Sequence, residues 1–249
     1  MSIFVLVHGA FLGRFCWDLL VPELHNLGHQ TVAFDLPIEV PELGAEAYAE
    51  FTLKEIERQL SGVLSSPPVL VGHSMGGLVI PLVAQEIEVS GCVYLAAALP
   101  KPGASFMERA RSVESDVFLT EGDVNPYLQR DLADRYWFHD CSKEVAAWAR
   151  EKIRPHNSAR IIFEQSPIKK LPEVPACSIV GAQERLLSPV WSRRMSQELL
   201  GVQSIDVEAG HCPQISQAKK VAEILHDFAS APAPSDKSSS GSQTAKTRH

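Results

Sequence analysis

Between Val69 and Ile80 the chain reads Val-Leu-Val-Gly-His-Ser-Met-Gly-Gly-Leu-Val-Ile. An apolar run of strand type meets a Gly-x-Ser-x-Gly pentapeptide, and an apolar helix pattern begins at once. Turning from strand to helix in so few residues forces the central residue into a strained backbone and pushes its side chain out of the sheet top. Gly72 and Gly76 lack the Cβ atoms that would collide with the neighbouring strand and helix at that corner. The residue so displayed is Ser74, a candidate nucleophile. The same turn aims the N–H of Met75 at whatever Ser74 attacks, at the positive end of the new helix. Gly-x-Ser-x-Gly alone occurs in ordinary turns. The strand before it and the helix after it give it chemical meaning.

The rest of the chain supplies a sheet for this turn to sit on. Ile3–Val7, Thr31–Phe34, Val69–Val71, Cys92–Ala96, Ser178–Val180 and Ser204–Val207 read as strands, rich in Val, Ile and aromatics. Amphipathic helices alternate with them, the pattern of an α/β fold with a mostly parallel sheet covered on both faces. Thr52–Leu64 reads as one helix, with Thr52 as cap and Glu55 completing a Thr-x-x-Glu capping box. Leu53, Ile56, Leu60 and Val63 share its inner face. Ser188-Pro189 opens another, carrying Trp191, Met195 and Leu199 at helical spacing. Ser216 is expected to cap the last, whose inner face is Val221, Leu225 and Phe228.

The alternation breaks between Lys101 and Pro172, where short helical patterns carry Phe106, Phe118, Tyr127, Tyr136, Trp137, Phe138 and Trp148. A long insertion between sheet strands is usually functional, commonly a lid. After Ala229 the composition collapses into Pro, Ser, Ala, Lys and Thr. A stretch that buries so little apolar area stays disordered. The expected organisation is one core of residues 1–100 and 173–230, an insertion over 101–172, and a disordered tail over 231–249.

Composition narrows the partners. The 249 residues are 45% hydrophobic and 21% charged, with a formal net charge of −7. That balance argues against nucleic acid or an anionic membrane as partner. No apolar stretch reaches the ~20 residues that span a bilayer. Met1–Val7 has no basic leader and runs into His8-Gly9, so it reads as a core strand and not a signal peptide. The five cysteines, Cys16, Cys92, Cys141, Cys177 and Cys212, are odd in number and widely spaced. Cys92 and Cys177 lie in strand patterns as small hydrophobes, and a reducing, cytoplasmic setting follows. His25 and His29 have i,i+4 spacing, but Gly28 ends their helix, so no metal pair is expected there. Oligomeric state stays open, a homodimer included.

A serine hydroxyl needs a base within hydrogen-bond reach, and the base needs a carboxylate to orient it. Among nine histidines, His211 follows the last strand in Ala209-Gly210-His211-Cys212-Pro213, at a strand's C-terminal end, where open α/β sheets build sites. The acid is expected from the loop after the preceding strand, Ala182-Gln183-Glu184-Arg185, where Glu184 is the one carboxylate. Asp206 is the rival, but it lies within a strand. The order Ser74, Glu184, His211 is that of nucleophile, acid and histidine in a sheet hydrolase. The second oxyanion donor should come from His8-Gly9-Ala10-Phe11-Leu12-Gly13, with the N–H of Ala10 as donor. His8 reads as a structural residue bonded to loop backbone, and His73 as a neighbour shaping the pocket.

These residues resemble the α/β-hydrolase superfamily, and more narrowly its compact branch of plant methylesterases, hydroxynitrile lyases and bacterial esterases. The resemblance runs from Ile3 to about Ala229. Phe4–Ala10 with Trp17 is similar to that branch's first strand and oxyanion loop. Gly72–Gly77 is similar to its nucleophile elbow, Val93–Ala97 to its next strand and Ala209–His211 to its histidine loop. The resemblance implies an α/β-hydrolase fold with a helical cap inserted between the strands ending near Ala98 and beginning near Ala176. The position matching Glu184 is usually aspartate in the family, one methylene shorter.

Three functions follow from this reading. The first is a cofactor-free, metal-free serine esterase for small, fairly apolar esters, with Phe11, Leu12, His73, Trp137 and Phe138 around the substrate. The second is a lyase similar to the hydroxynitrile lyases. There the oxyanion loop carries threonine where this chain has Gly9, and lysine where it has Cys212, so the cation for departing cyanide is lacking. The third is a non-catalytic small-molecule receptor.

Overall fold

The computed structural model describes residues 1–60, 66–112, 116–120, 125 and 127–231. Six strands form one sheet: β1 (Ile3–Val7), β2 (Gln30–Ala33), β3 (Val69–His73), β4 (Gly91–Leu95), β5 (Ala176–Gly181) and β6 (Ile205–Val207). Their spatial order is β2-β1-β3-β4-β5-β6. All five pairings are parallel, so every strand ends at the same edge. The helices are α1 (Leu20–Asn26), α2 (Ala45–Gln59), α3 (Ile80–Glu86), α4 (Phe106–Ser112), α5 (Arg130–Leu132), α6 (Lys143–Glu151), α7 (Arg160–Phe163), α8 (Pro189–Met195), α9 (Pro213–Ser216) and α10 (Ala218–Ser230). Four of them, α4 to α7, lie in the segment between β4 and β5.

The four central strands, β1, β3, β4 and β5, are almost wholly buried because both faces of the sheet are covered there. Successive residues go to opposite sides. Val5, Val7, Leu70 and Tyr94 join Tyr48 and Ile56 of α2, Val83 of α3 and Trp191 of α8. Phe4, Leu6, Val71, Val93 and Leu95 join Trp17, Leu24 of α1 and Val221 and Leu225 of α10. Cys92 and Cys177 are buried among these hydrophobes. No helix among the described residues is long and apolar enough to cross a membrane.

Two expected caps are elsewhere. Helix α2 starts at Ala45, not Thr52. Its N-cap is Gly44, and the N–H of Ala45 donates to Glu164 at 2.7 Å, so a carboxylate just beyond α7 caps it. Thr52 is fully buried mid-helix and its hydroxyl donates back to the Tyr48 carbonyl at 2.8 Å. Val63 and Leu64 lie outside the described residues. Ser216 closes the short helix α9, and Gln217 is the N-cap of α10. Ser188 does cap α8, accepting from Trp191 N at 3.2 Å, with Pro189 in the first turn. The tail expected over 231–249 lies outside the described residues beyond Ala231.

Candidate active site

At the end of β3 the chain turns into a 3₁₀ stretch, Ser74–Leu78, that leads into α3. Ser74 sits at φ +51, a left-handed value that a serine adopts only under constraint. Its carbonyl accepts from the N–H of Ala98 beyond β4, at 3.0 Å, which helps to hold the turn. A Cβ on Gly72 would lie 2.7 Å from the Gly76 carbonyl, and one on Gly76 would strike the Val7 carbonyl. Neither obstacle is a movable side chain, so the corner admits only glycine at both places.

The other members of the site come from the same edge. The loops after β5 and β6 are zipped together by Ala182 N–H to Val207 O (2.8 Å) and Gln183 N–H to Ala209 O (2.9 Å). This brings Glu184 against His211. The Glu184 carboxylate accepts from His211 Nδ1 at 2.7 Å through Oε2. Its Oε1 accepts from the N–H groups of Arg185 and Leu186 at 2.9 and 2.8 Å. A carboxylate only accepts, so in the neutral ring Nδ1 carries the proton and Nε2 is the acceptor. Nε2 lies 3.0 Å from Ser74 Oγ. Hydroxyl, imidazole and carboxylate thus stand in a line, with Glu184 and His211 buried. Asp206 is occupied on the surface by Arg193, at 2.6 Å.

His73 is fully buried and its Nε2 donates to the His211 carbonyl at 2.8 Å. Burial, and then the neighbouring His211, hold its pKa well below the usual histidine value. It stays a neutral donor. His8 does the same work for the first loop. Its Nε2 accepts from Leu36 N–H at 2.8 Å, so Nδ1 carries the proton and donates to the Gly9 carbonyl at 2.8 Å. Burial lowers its pKa to about 4.

The loop after β1 passes close over the elbow, since a Cβ on Gly9 would lie 2.7 Å from Ser74 Cβ. Phe11 takes φ +62. The N–H groups of Ala10 and Met75 hydrogen-bond to no other backbone group among the described residues outside the local helix. N–H groups on the turns beside a nucleophile are the kind of donor a developing oxyanion requires.

The segment between β4 and β5 also reaches the site. A π-helical turn, Ala133–Trp137, sets the Trp137 ring edge-on to His211 (5.9 Å, 87°) and to Phe11 (6.4 Å, 86°). Leu12, His73 and Phe138, expected to touch substrate, have at most 1% of their surface exposed. Two residues that sequence reasoning missed tie this segment to the site. Asp140 accepts from the N–H of Gly210, and the N–H of Arg154 donates to the Phe11 carbonyl. Nothing local in the chain marks either one.

The sequence matches the alpha/beta hydrolase family over residues 4–224. It is 25% identical to a pyrethroid hydrolase of Sphingobium wenxiniae, over 92% of this chain and 88% of that protein. It is 27% identical to the polyneuridine aldehyde esterase of Rauvolfia serpentina, over 90% and 94%. The solved structure of polyneuridine aldehyde esterase superposes with a TM-score of 0.72 over 92% of this chain and 99% of that one, at 22% identity. Esterase PIR7B of Oryza sativa subsp. japonica is 34% identical over 67% of this chain and 69% of its own. A parallel sheet, a glycine-bounded elbow and these matches agree: the chain belongs to the alpha/beta hydrolase family, in the branch that contains the plant methylesterases.

Proposed function

We propose that this protein is a serine hydrolase of carboxylic esters, acting on small, fairly apolar substrates through an acyl-enzyme on Ser74. The observation that carries this reading is the hydrogen-bonded line from Ser74 Oγ to His211 Nε2 (3.0 Å) and from His211 Nδ1 to Glu184 (2.7 Å). Relatives named as esterases and as a pyrethroid hydrolase support it. Ser74 Oγ attacks the acyl carbon while His211 Nε2 takes its proton. The N–H groups of Ala10 and Met75 hold the oxyanion. As the tetrahedral adduct collapses, the alcohol leaves with the proton from Nε2. Water then gives a proton to Nε2, attacks the acyl carbon and releases the acid. Ser74 recovers its hydrogen from the imidazolium, which Glu184 stabilises throughout.

Phe11 and Trp137 supply the apolar surroundings that suit a small ester, and residues 101–172 serve as the cap over a core of 1–100 and 173–230. Five free thiols fit a reducing compartment such as the cytoplasm. The lyase reading loses ground. Cys212 is fully buried and offers no cation, and a threonine at position 9 would begin with a Cβ 2.7 Å from Ser74 Cβ.

Hydrolysis of p-nitrophenyl acetate, with Ser74→Ala in parallel, tests the proposal and separates it from a receptor. Turnover by the wild type and a loss of about 10⁴-fold or more in the variant are expected. Binding without turnover, or a variant as active as the wild type, would overturn it.

A further inference from the structure

His211 is gripped from several sides. Glu184 holds Nδ1, His73 holds the carbonyl, and the Trp137 ring stands edge-on to the imidazole. A further contact falls one peptide bond upstream. The N–H of Gly210 donates to Asp140 Oδ2 at 2.7 Å, across 70 residues of chain. Asp140 lies in the segment between β4 and β5, whereas Glu184 and His73 belong to the sheet edge.

The fit around this bond is close. A Cβ on Gly210 would lie 2.5 Å from His139 Cε1 and 2.8 Å from Asp140 Oδ1, so the histidine loop meets His139 and Asp140 backbone to side chain. Asp140 Oδ1 is buried and has no hydrogen-bond partner among the described residues. The hydrogen bond this carboxylate makes there therefore goes to the loop that carries His211. With the N–H of Gly210 unpaired, that loop would turn toward another acceptor and carry Nε2 off its 3.0 Å line to Ser74 Oγ. Displacements of about 1 Å at a reacting centre cost on the order of 10²-fold in rate.

We propose that Asp140 is a positioning residue for His211, so that the inserted segment takes part in proton transfer as well as in covering the substrate. The inference rests on the hydrolase reading above. It concerns a residue that touches neither substrate nor the reacting atoms.

The test compares Asp140→Ala, Asp140→Asn and Asp140→Glu on p-nitrophenyl acetate, with melting temperature and the rate of Ser74 modification by an uncharged fluorophosphonate. Asp140→Ala should lower kcat about 10-fold, with KM held within about 2-fold and slower Ser74 modification in step. Asp140→Asn keeps an accepting oxygen in place and should recover most of the rate. Asp140→Glu keeps the charge but displaces the acceptor by one methylene, and should resemble Asp140→Ala. Unchanged kcat in Asp140→Ala, a loss confined to KM, or Asp140→Asn as slow as Asp140→Ala would overturn the role. If Asp140→Ala does not fold, the other pair decides: Asn faster than Glu supports the proposal, and Glu as fast as or faster than Asn contradicts it. Wild-type turnover by Ser74→Ala would instead bring down the hydrolase reading and this role together. Loss in Ser74→Ala beside an unaffected Asp140→Ala removes the Asp140 role alone.

Discussion

The sheet edge and the inserted segment build facing walls of the site by opposite means. At the sheet edge, backbone approaches backbone because side chains are missing: Gly9 over Ser74, Gly72 and Gly76 at the elbow. On the inserted segment, side chains are added to reach across. Trp137 touches His211 and Phe11, Asp140 takes the Gly210 N–H, and Arg154 spreads over Asp35, Glu39 and the Leu36 carbonyl at 2.8–3.0 Å. A wall made by close approach has no slack, because nothing there can rotate aside. A wall made by hydrogen-bonded side chains yields by degrees. Substitutions on the first should therefore be severe, and on the second graded.

The largest contrast should come from Glu184→Gln, at the sheet edge. An amide in place of the carboxylate favours the wrong ring tautomer of His211, and kcat should fall about 10³- to 10⁴-fold with the fold intact. Wild-type rates in steady-state kinetics would move the acid to another residue. Gly9→Ala comes next, at about 10²-fold, because its Cβ would push the oxyanion loop off Ser74. An unchanged rate there would mean that this wall has slack after all. Arg154→Ala, in the inserted segment, should cost about 10-fold or less. Its ion pairs with Asp35 and Glu39 are only part-buried, and its backbone bond to Phe11 survives the substitution. A loss as large as that of Gly9→Ala would erase the distinction between the walls.

Acid should affect both regions alike, through stability. Burial lowers His8 of the sheet edge to about 4, and His156 of the inserted segment also to about 4. Both start from 6.5 in the unfolded chain. Between those values the unfolded chain takes up protons that the folded one refuses, so stability falls as pH drops through the window. For the fully buried His8 the loss is on the order of 3 kcal/mol. Melting curves should shift downward steadily from pH 6.5 to 4.5, and a flat profile would contradict the burial of these rings as neutral groups.

The same comparison explains how much was legible in the chain. Strands are local runs of Val, Ile and Leu, and each expected strand lies within one or two residues of an observed one at either end, β3 and β5 each running two residues beyond an expected end. The elbow is local too, as is the spacing that brings Glu184 and His211 to consecutive strand ends. The start of helix α2 is not legible because the carboxylate that meets its first N–H is Glu164, 119 residues away, while Thr-x-x-Glu lies by chance inside the helix. Ser216 does not cap α10 because it ends the short helix α9, and Gln217 intervenes. Asp140 and Arg154 carry no motif at all. Their meaning is in partners that only the folded chain brings near.

In the proposed mechanism Ser74 carries the acyl group between two half-reactions. Rapid-quench mass spectrometry during turnover of p-nitrophenyl acetate measures this directly. One acetyl adduct is expected, mapped to the peptide containing Ser74 and missing from Ser74→Ala. Steady turnover with no adduct at any quench time, or an adduct on another residue that forms at the rate of turnover, would contradict it.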